Sequence, residues 1–249
     1  MAGEGADRSL AGKLRRRWAR LGERRPAQGA TPRALVSISF DDAPESAADA
    51  GARVLQARGV RGTYFLCAGL MGETGPMGRN ADAAAVRRLL AEGHEVGCHT
   101  HSHINCGRAT GEALTAEAQR NAAALAALGA PEPRAFAYPY GEVSMAAKRA
   151  LGGRFGILRA LHHGLVRQGA DLNQAPAVGI EGPGGEAAAA LWLERALAEG
   201  GWLILYTHDV GEAPSPFGCT PEALGRLVDR AIAGGAELVT VGEGARRLA

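Results

Sequence analysis

The sequence predicts an α/β fold in which parallel strands form a barrel inside a shell of helices. Three observations point there. Apolar, β-like runs alternate with helical segments about seven times along the chain, the pattern of a parallel sheet covered by helices. The polar residues that look reactive, Asp41, Asp42, His99, His103, Tyr140 and His208, all follow directly on the ends of such runs. Barrels assemble their sites on that rim from several strands, whereas an open sheet gathers them at one switch point. Neither a Gly-x-Gly-x-x-Gly after the first run nor a Walker-type loop is present, which removes support from nucleotide-binding folds.

Each element has its own signal. Residues 34–40 (ALVSISF) read as a strand, and Pro44 then opens a helix to about residue 58 with Ala47, Ala50, Val54 and Leu55 on one face. Residues 62–67 form a second strand. Residues 69–81, rich in glycine and without periodicity, form a loop. Asp82 caps a helix through residue 91 that Gly93 closes, and residues 94–98 are the third strand. A long Ala/Leu helix spans 110–128. Residues 134–138 are a strand, Pro139-Tyr140-Gly141 a turn, and 144–151 a helix. Weak strands at 155–158 and 177–180 flank an irregular stretch. A helix at 186–199 precedes WLILY at 202–206, the clearest buried strand. Thr220 caps a helix to 233 with Pro221 in its first turn, and a strand at 237–239 and a helix at 242–248 close the chain.

At 249 residues with 46% hydrophobic composition, the chain suits one domain with a sizeable core. Its formal net charge of +2 does not by itself suggest a nucleic-acid partner. The charge is unevenly spread. Residues 1–33 hold Arg8, Lys13, Arg15, Arg16, Arg17, Arg20, Arg24, Arg25 and Arg33 against Glu4, Asp7 and Glu23, so a basic arm precedes a mildly acidic body over 34–249. The arm lacks the apolar stretch of a secretory signal, and no run reaches the ~18 apolar residues of a membrane span, so a cytoplasmic protein is expected. Leu10, Leu14, Trp18 and Leu21 recur at helical spacing among the arginines. Residues 1–30 could thus make peripheral contact with an anionic membrane, or pack a short helix on the barrel. Cys67, Cys98, Cys106 and Cys219 are expected as reduced, buried thiols. Cys98 and Cys106 flank the histidine cluster but fit no closed zinc pattern.

The chemistry lies in two stretches. His99 and His103 are four apart, so a helical turn puts both imidazoles within reach of one ion, with His101 pointing elsewhere. One carboxylate from Asp41-Asp42 completes a two-histidine, one-aspartate set for zinc or another divalent first-row ion. Asp42 can hold the ion while Asp41 takes a proton from the water that such an ion makes nucleophilic at neutral pH. A backbone N–H of the Tyr138–Gly141 turn can meet a developing oxyanion. His208 can protonate a leaving amine, oriented by Asp209 or by an acid from another loop.

At these residues the sequence resembles the polysaccharide deacetylases with NodB homology, carbohydrate esterase family 4. Ser39-Phe40-Asp41-Asp42 is similar to their first motif, His99-Thr100-His101-Ser102-His103 to their second, Phe136 through Gly141 to their third, and Leu203 through His208 to their fifth. The resemblance implies a distorted (β/α)7 barrel over 34–249 and metal-dependent removal of an N-acetyl group from an amino sugar or glycan precursor. It implies Asp41 as base, Asp42, His99 and His103 as metal ligands, the Tyr140 N–H in the oxyanion hole, and His208 as acid. Two places depart from it. Many members carry an arginine two residues before the proline of the third motif, against the catalytic aspartate; here that residue is Ala137, and Arg134 or another cation would have to substitute. The fourth motif has no clear counterpart, Asp171 being the only acid between residues 154 and 180. Deformylation, hydrolysis of a non-sugar amide, and a catalytically weak glycan-binding barrel are the alternatives. Oligomeric state is not legible.

Overall fold

Alternate residues of the strands face opposite ways, and here both faces are buried. The computed structural model describes residues 6–7 and 9–249. In chain order these form α1 (Leu10–Ala19), β1 (Ala34–Phe40), a π-helical turn (Ala47–Gly51) running into α2 (Ala52–Gln56), β2 (Thr63–Leu66), β3 (Thr74–Gly75), β4 (Gly78–Arg79), α3 (Ala83–Ala91), β5 (Glu95–Cys98), α4 (Gly111–Ala126) and β6 (Ala135–Ala137). There follow α5 (Met145–Leu151), β7 (Ile157–Arg159), β8 (Val178–Gly179), α6 (Gly182–Glu199), β9 (Gly201–Thr207), α7 (Pro221–Ala233), β10 (Glu237–Leu238) and α8 (Val241–Leu248).

The main sheet is parallel throughout, in the order β7-β6-β5-β2-β1-β9-β8. β1 shares one edge between two partners: Leu35 stands opposite Glu237 of β10, and Ser39 opposite Thr63 of β2. The sheet curls until its ends meet. Ala160 N donates to Ala175 O at 2.8 Å and Ala177 N to His162 O at 3.0 Å, so the stretch ahead of β8 closes the barrel. This is the expected distorted barrel, and the closing stretch is where it is distorted.

Period two sorts the core. Leu35, Phe65, Ala137, Ile157, Trp202, Ile204 and Tyr206 turn inward, where Val241, Ala245 and Leu248 of α8 pack among them. Val36, Ile38, Phe40, Leu203 and Leu205 turn outward onto helices. Cys98, Phe136 and Leu158 pack with Leu114 of α4 and Leu151 of α5. Burial of such a side chain contributes roughly 1.5–3 kcal/mol, which is why both faces of β1 and β9 read apolar. The two serines inside β1 are satisfied: Ser37 Oγ donates to Val239 O at 2.7 Å and Ser39 Oγ to Leu205 O at 2.9 Å. All four cysteines are free and buried.

Some boundaries differ from the sequence reading. α6 begins at Gly182, not at 186, because Pro183 fits a first turn and tertiary packing outweighs the low helix propensity of Gly184 and Gly185. The 69–81 loop contains the β3–β4 hairpin. The 177–180 strand shortens to Val178–Gly179.

The basic segment is fastened to the body by buried charges. Glu142, 1% exposed, accepts from Asp7 N at 2.7 Å and Arg15 Nη2 at 2.9 Å, and also from Arg16. Arg25 donates to the carbonyls of Gly152, Phe155 and Gly156. Lys148, fully buried, donates from Nζ to Ala19 O and Gly22 O at 2.6 Å and to Asp171 Oδ2 at 2.7 Å. Removing one partner of such a buried pair costs about 3–5 kcal/mol. Lys148→Met is therefore expected to lower unfolding free energy by about 3 kcal/mol and to expose the segment ahead of β1 to trypsin before the barrel is cut. Limited proteolysis together with a urea melt checks both; an unchanged cleavage order would show that Lys148 does not hold the segment.

Candidate active site

The inward face of the barrel, continued one step past each strand end, makes the site. The inward series of β1 runs Leu35, Ser37, Ser39, Asp41. That of β5 runs Gly97, His99, and that of β9 runs Ile204, Tyr206, His208. β7 contributes Arg159, and β8 leads through Gly179 to Glu181. Parallel strands bring these positions to one rim. Asp41 N donates to Thr207 O at 2.9 Å, locking the β1 exit against β9.

Asp42, His99 and His103 converge. Asp42 Oδ1 lies 3.6 Å from His99 Nε2 and 3.2 Å from His103 Nε2. His99 Nδ1 donates to Ala137 O at 2.8 Å, which leaves the Nε2 lone pair facing Asp42. Burial, and next the neighbouring His99, press the His103 pKa down to about 4 despite Asp42. Burial also lowers that of His99, against the pull of Asp41 and Asp42. Both rings are thus neutral. Asp42 Oδ1 is buried without a hydrogen-bond donor. Two lone pairs and a carboxylate oxygen facing one another, with no proton between them, fit a divalent cation, and the three ligand atoms lie within 4.8 Å of one another. His101 stands apart, packed over Gly69, whose N–H donates to His101 O at 2.9 Å.

Asp41 is 2% exposed and is held by Arg159. Arg159 Nη2 reaches Oδ1 at 2.6 Å and Oδ2 at 2.5 Å. Burial alone would raise the Asp41 pKa, but the Arg159 charge, with that of His208, outweighs it, so Asp41 stays ionised below the usual carboxylate range. The guanidinium is sandwiched between the Phe65 ring at 5.2 Å and the Tyr206 ring at 5.1 Å. Arg159 occupies the place of the missing arginine in another strand: its registered partner on β6 is Ala137. Arg134 does not substitute; it is exposed at the far end of β6.

His208 Nδ1 sits 2.8 Å from Glu181 Oε1. Burial would lower its pKa, but the Glu181 hydrogen bond and then the Asp41 charge raise it to about 9. The expectation for Asp209 is corrected: its carboxylate accepts from Ser215 N at 2.7 Å and Oγ at 2.6 Å, shaping the loop above. Asp171 is likewise no site residue, since Lys148 and Arg25 N hold it near the basic segment. Tyr140 has φ 59°, and its ring meets that of His103 edge-on at 4.4 Å. Cys98 lies outside the cluster, its sulfur accepting from Asn121 Nδ2. Sequence reasoning missed Arg159 and Glu181. Strand periodicity was the available signal: each falls on the inward series of its strand.

Comparison with known proteins gives the family and the fold. The sequence profile described as polysaccharide deacetylase matches residues 28–155. A chitin deacetylase of Pestalotiopsis sp. is 27% identical over 117 residues, 47% of this chain and 38% of its own length, so the chain spans well under half of that relative. The fold is similar to that of Bc1960, a peptidoglycan N-acetylglucosamine deacetylase, with TM-score 0.60 and 22% identity over 87% of this chain and 90% of that one. It is also similar to a family 4 acetyl xylan esterase from Clostridium thermocellum solved with a cobalt ion, with TM-score 0.56 and 23% identity over 84% and 89% of the two chains.

The three converging acceptors carry a direct expectation. Calorimetric titration of chelator-treated protein with Zn2+ or Co2+ should give one tight site, and His103→Ala should weaken it by at least ~100-fold. Equal affinity in that variant would remove His103 from the ligand set.

Proposed function

The chain belongs to the polysaccharide deacetylase family, and from that premise we propose that it is a divalent-metal-dependent N-deacetylase acting on an amino sugar or glycan precursor. One observation carries the reading. The donor-free Asp42–His99–His103 cluster lies beside an ionised aspartate held by a buried arginine and near a histidine kept protonated by a glutamate.

Asp42, His99 and His103 would hold the ion, zinc by donor chemistry, and the ion supplies Lewis-acid charge to the acetyl group and its water nucleophile. The chain's own residues do the rest. Asp41 takes the proton from water at a carboxylate oxygen. Arg159 keeps that carboxylate charged and fixed, as a positioning residue. The Tyr140 N–H, in the left-handed turn beside His103, donates to the oxyanion as it forms. His208 gives a proton from Nε2 to the departing amine, and Glu181 holds the opposite ring nitrogen so that Nε2 faces the bond being broken. Acid and base are thus separate groups whose environments push their pKa values apart.

Acetate release from N-acetylglucosamine oligomers, lost with chelator and restored by metal, tests the reading; formate release from N-formyl analogues under the same conditions would favour deformylation instead. Asp41→Asn should keep bound metal and lose about 10²–10⁴-fold in kcat. Arg159→Met should retain the metal, reduce kcat, and move the acid limb of the rate profile to higher pH, because Asp41 loses the cation that lowers its pKa.

The alkaline limb reports His208. A group that acts while protonated, with its pKa raised to about 9, supports turnover below that pH and loses it as pH rises through it. Glu181→Gln removes the hydrogen bond and charge that raise it most, while the Asp41 charge remains. The limb should therefore move to lower pH. A pH profile of kcat/KM decides, and an unmoved limb would exclude the pairing.

A further inference from the structure

Helix α1 shows solvent an apolar stripe. Leu10, Leu14 and Trp18 are 78%, 56% and 64% exposed, and Leu21, just past the helix, is 74% exposed. The three helical positions fall within roughly 80° of the circumference. Gly12 and Ala19, on the opposite side, are buried. The helix therefore packs on the barrel through its small residues and turns its large apolar ones away. Its pose is fixed by Arg15 and Arg16 on Glu142 and by Lys148 on Ala19 O, so the exposed face belongs to an anchored element.

Cations border the stripe. The ion pairs of this segment run through Arg15, Arg16 and Glu23. Lys13, Arg17 and Arg20 make none among the described residues, and on the helical wheel Lys13 and Arg17 lie along one edge of the stripe. With Arg16 these three also line a groove of about 520 Å3 that opens beside Tyr140 and His162. In the groove wall, the His162 Nδ1 is buried without a hydrogen-bond partner. One helix thus presents apolar side chains, unpaired positive charge and one wall of the groove next to the catalytic rim. No helix among the described residues is long and apolar enough to cross a membrane.

We propose that α1 seats the protein on an anionic lipid surface, and that the groove it borders receives its substrate from that surface, an amino sugar carried on a lipid phosphate. The seating does not depend on the deacetylase reading; the substrate class rests on it. Charge complementarity selects this occupant. Aliphatic and indole side chains enter the headgroup boundary, while the cations beside them meet lipid phosphates. A neutral apolar partner would leave Lys13, Arg17 and Arg20 without a counter-charge.

Vesicle sedimentation of the full chain tests the seating. Wild type should sediment with phosphatidylcholine vesicles holding about 30% phosphatidylglycerol and stay in the supernatant with phosphatidylcholine alone. Leu14→Ser/Trp18→Ser should reduce binding roughly tenfold, with melting temperature and acetate release from a soluble oligomer unchanged. Equal sedimentation of variant and wild type, or no sedimentation of wild type, overturns the seating. For the substrate class, kcat/KM is compared between neutral N-acetylglucosamine oligomers and N-acetylglucosaminyl phosphate on a short prenyl chain. The prenyl phosphate should be preferred roughly tenfold, and Lys13→Ala/Arg17→Ala/Arg20→Ala should erase that preference through KM. Turnover of both without preference overturns the substrate class and leaves the deacetylase reading standing. No metal-dependent turnover of either overturns both.

Discussion

The ion pair between Arg159 and Asp41 is the constraint around which the rim is built. Both groups are buried, and a buried charge is tolerated only when paired and hydrogen-bonded. The pair therefore dictates what surrounds it. Phe65 and Tyr206 must lie flat against the guanidinium, which requires room beside each ring. Gly97 supplies it for Phe65: a Cβ there would come within 2.5 Å of the ring. Gly179 does the same for Tyr206, where a Cβ would meet the ring and its hydroxyl at 3.1 Å. Ala137, registered with Arg159 on the same inward face, keeps that level free of a second long side chain. An apparent loss in the sequence is thus part of the accommodation.

Strain concentrates at the same rim. Six described residues other than glycine have positive φ, and five of them, Asp42, Ala43, Thr100, His103 and Tyr140, are site residues or lie next to one. Each left-handed residue costs of order 1–3 kcal/mol and persists only where its surroundings over-determine it. They do so here. Glu117, 3% exposed, accepts from His101 N at 2.9 Å and Ser102 N at 2.8 Å, gripping the turn between the two histidine ligands. Asn121, one helical turn on, accepts from Ala68 N and donates to Leu66 O, tying α4 to the exit of β2. The outer helix α4 thus holds the turn that a two-imidazole set requires.

This explains what could be read from sequence. The barrel was legible because strands buried on both faces, as in residues 34–40 and 202–206, carry an unmistakable composition, and because Asp82, Thr110 and Thr220 cap their helices through side-chain oxygens. The metal set was legible because Asp42 and His99 stand directly past the ends of β1 and β5, and His103 follows four residues after His99. The supports were not. Arg159 and Glu181 lie 118 and 27 residues from the groups they hold. Their roles depend on the β6–β7 register and on the irregular backbone that closes the barrel at 175–177, and neither follows from local spacing. Asp209 misled for the converse reason. Adjacency to His208 says nothing about which way a carboxylate turns.

The relocated arginine and the glutamate after β8 bear on whether this is a working catalyst or a barrel that has kept only its ligands. A site needs a charged group at a given depth and height, and a strand barrel offers neighbouring positions at equal height on adjacent strands. Moving a guanidinium from the position of Ala137 to Arg159 keeps its height, because the two are registered partners. The histidine's acidic partner, Glu181, stands at the N-terminus of α6, where the exit of β8 turns toward His208. The two pairs set which proton is held and which is released: Asp41 stays ionised and His208 stays protonated. The Arg159–Asp41 and Glu181–His208 pairs beside a metal-ready cluster favour the proposed catalytic reading over a barrel that has kept only its ligands. The departures from the linear motifs are therefore better understood as one acid–base arrangement carried by different strands.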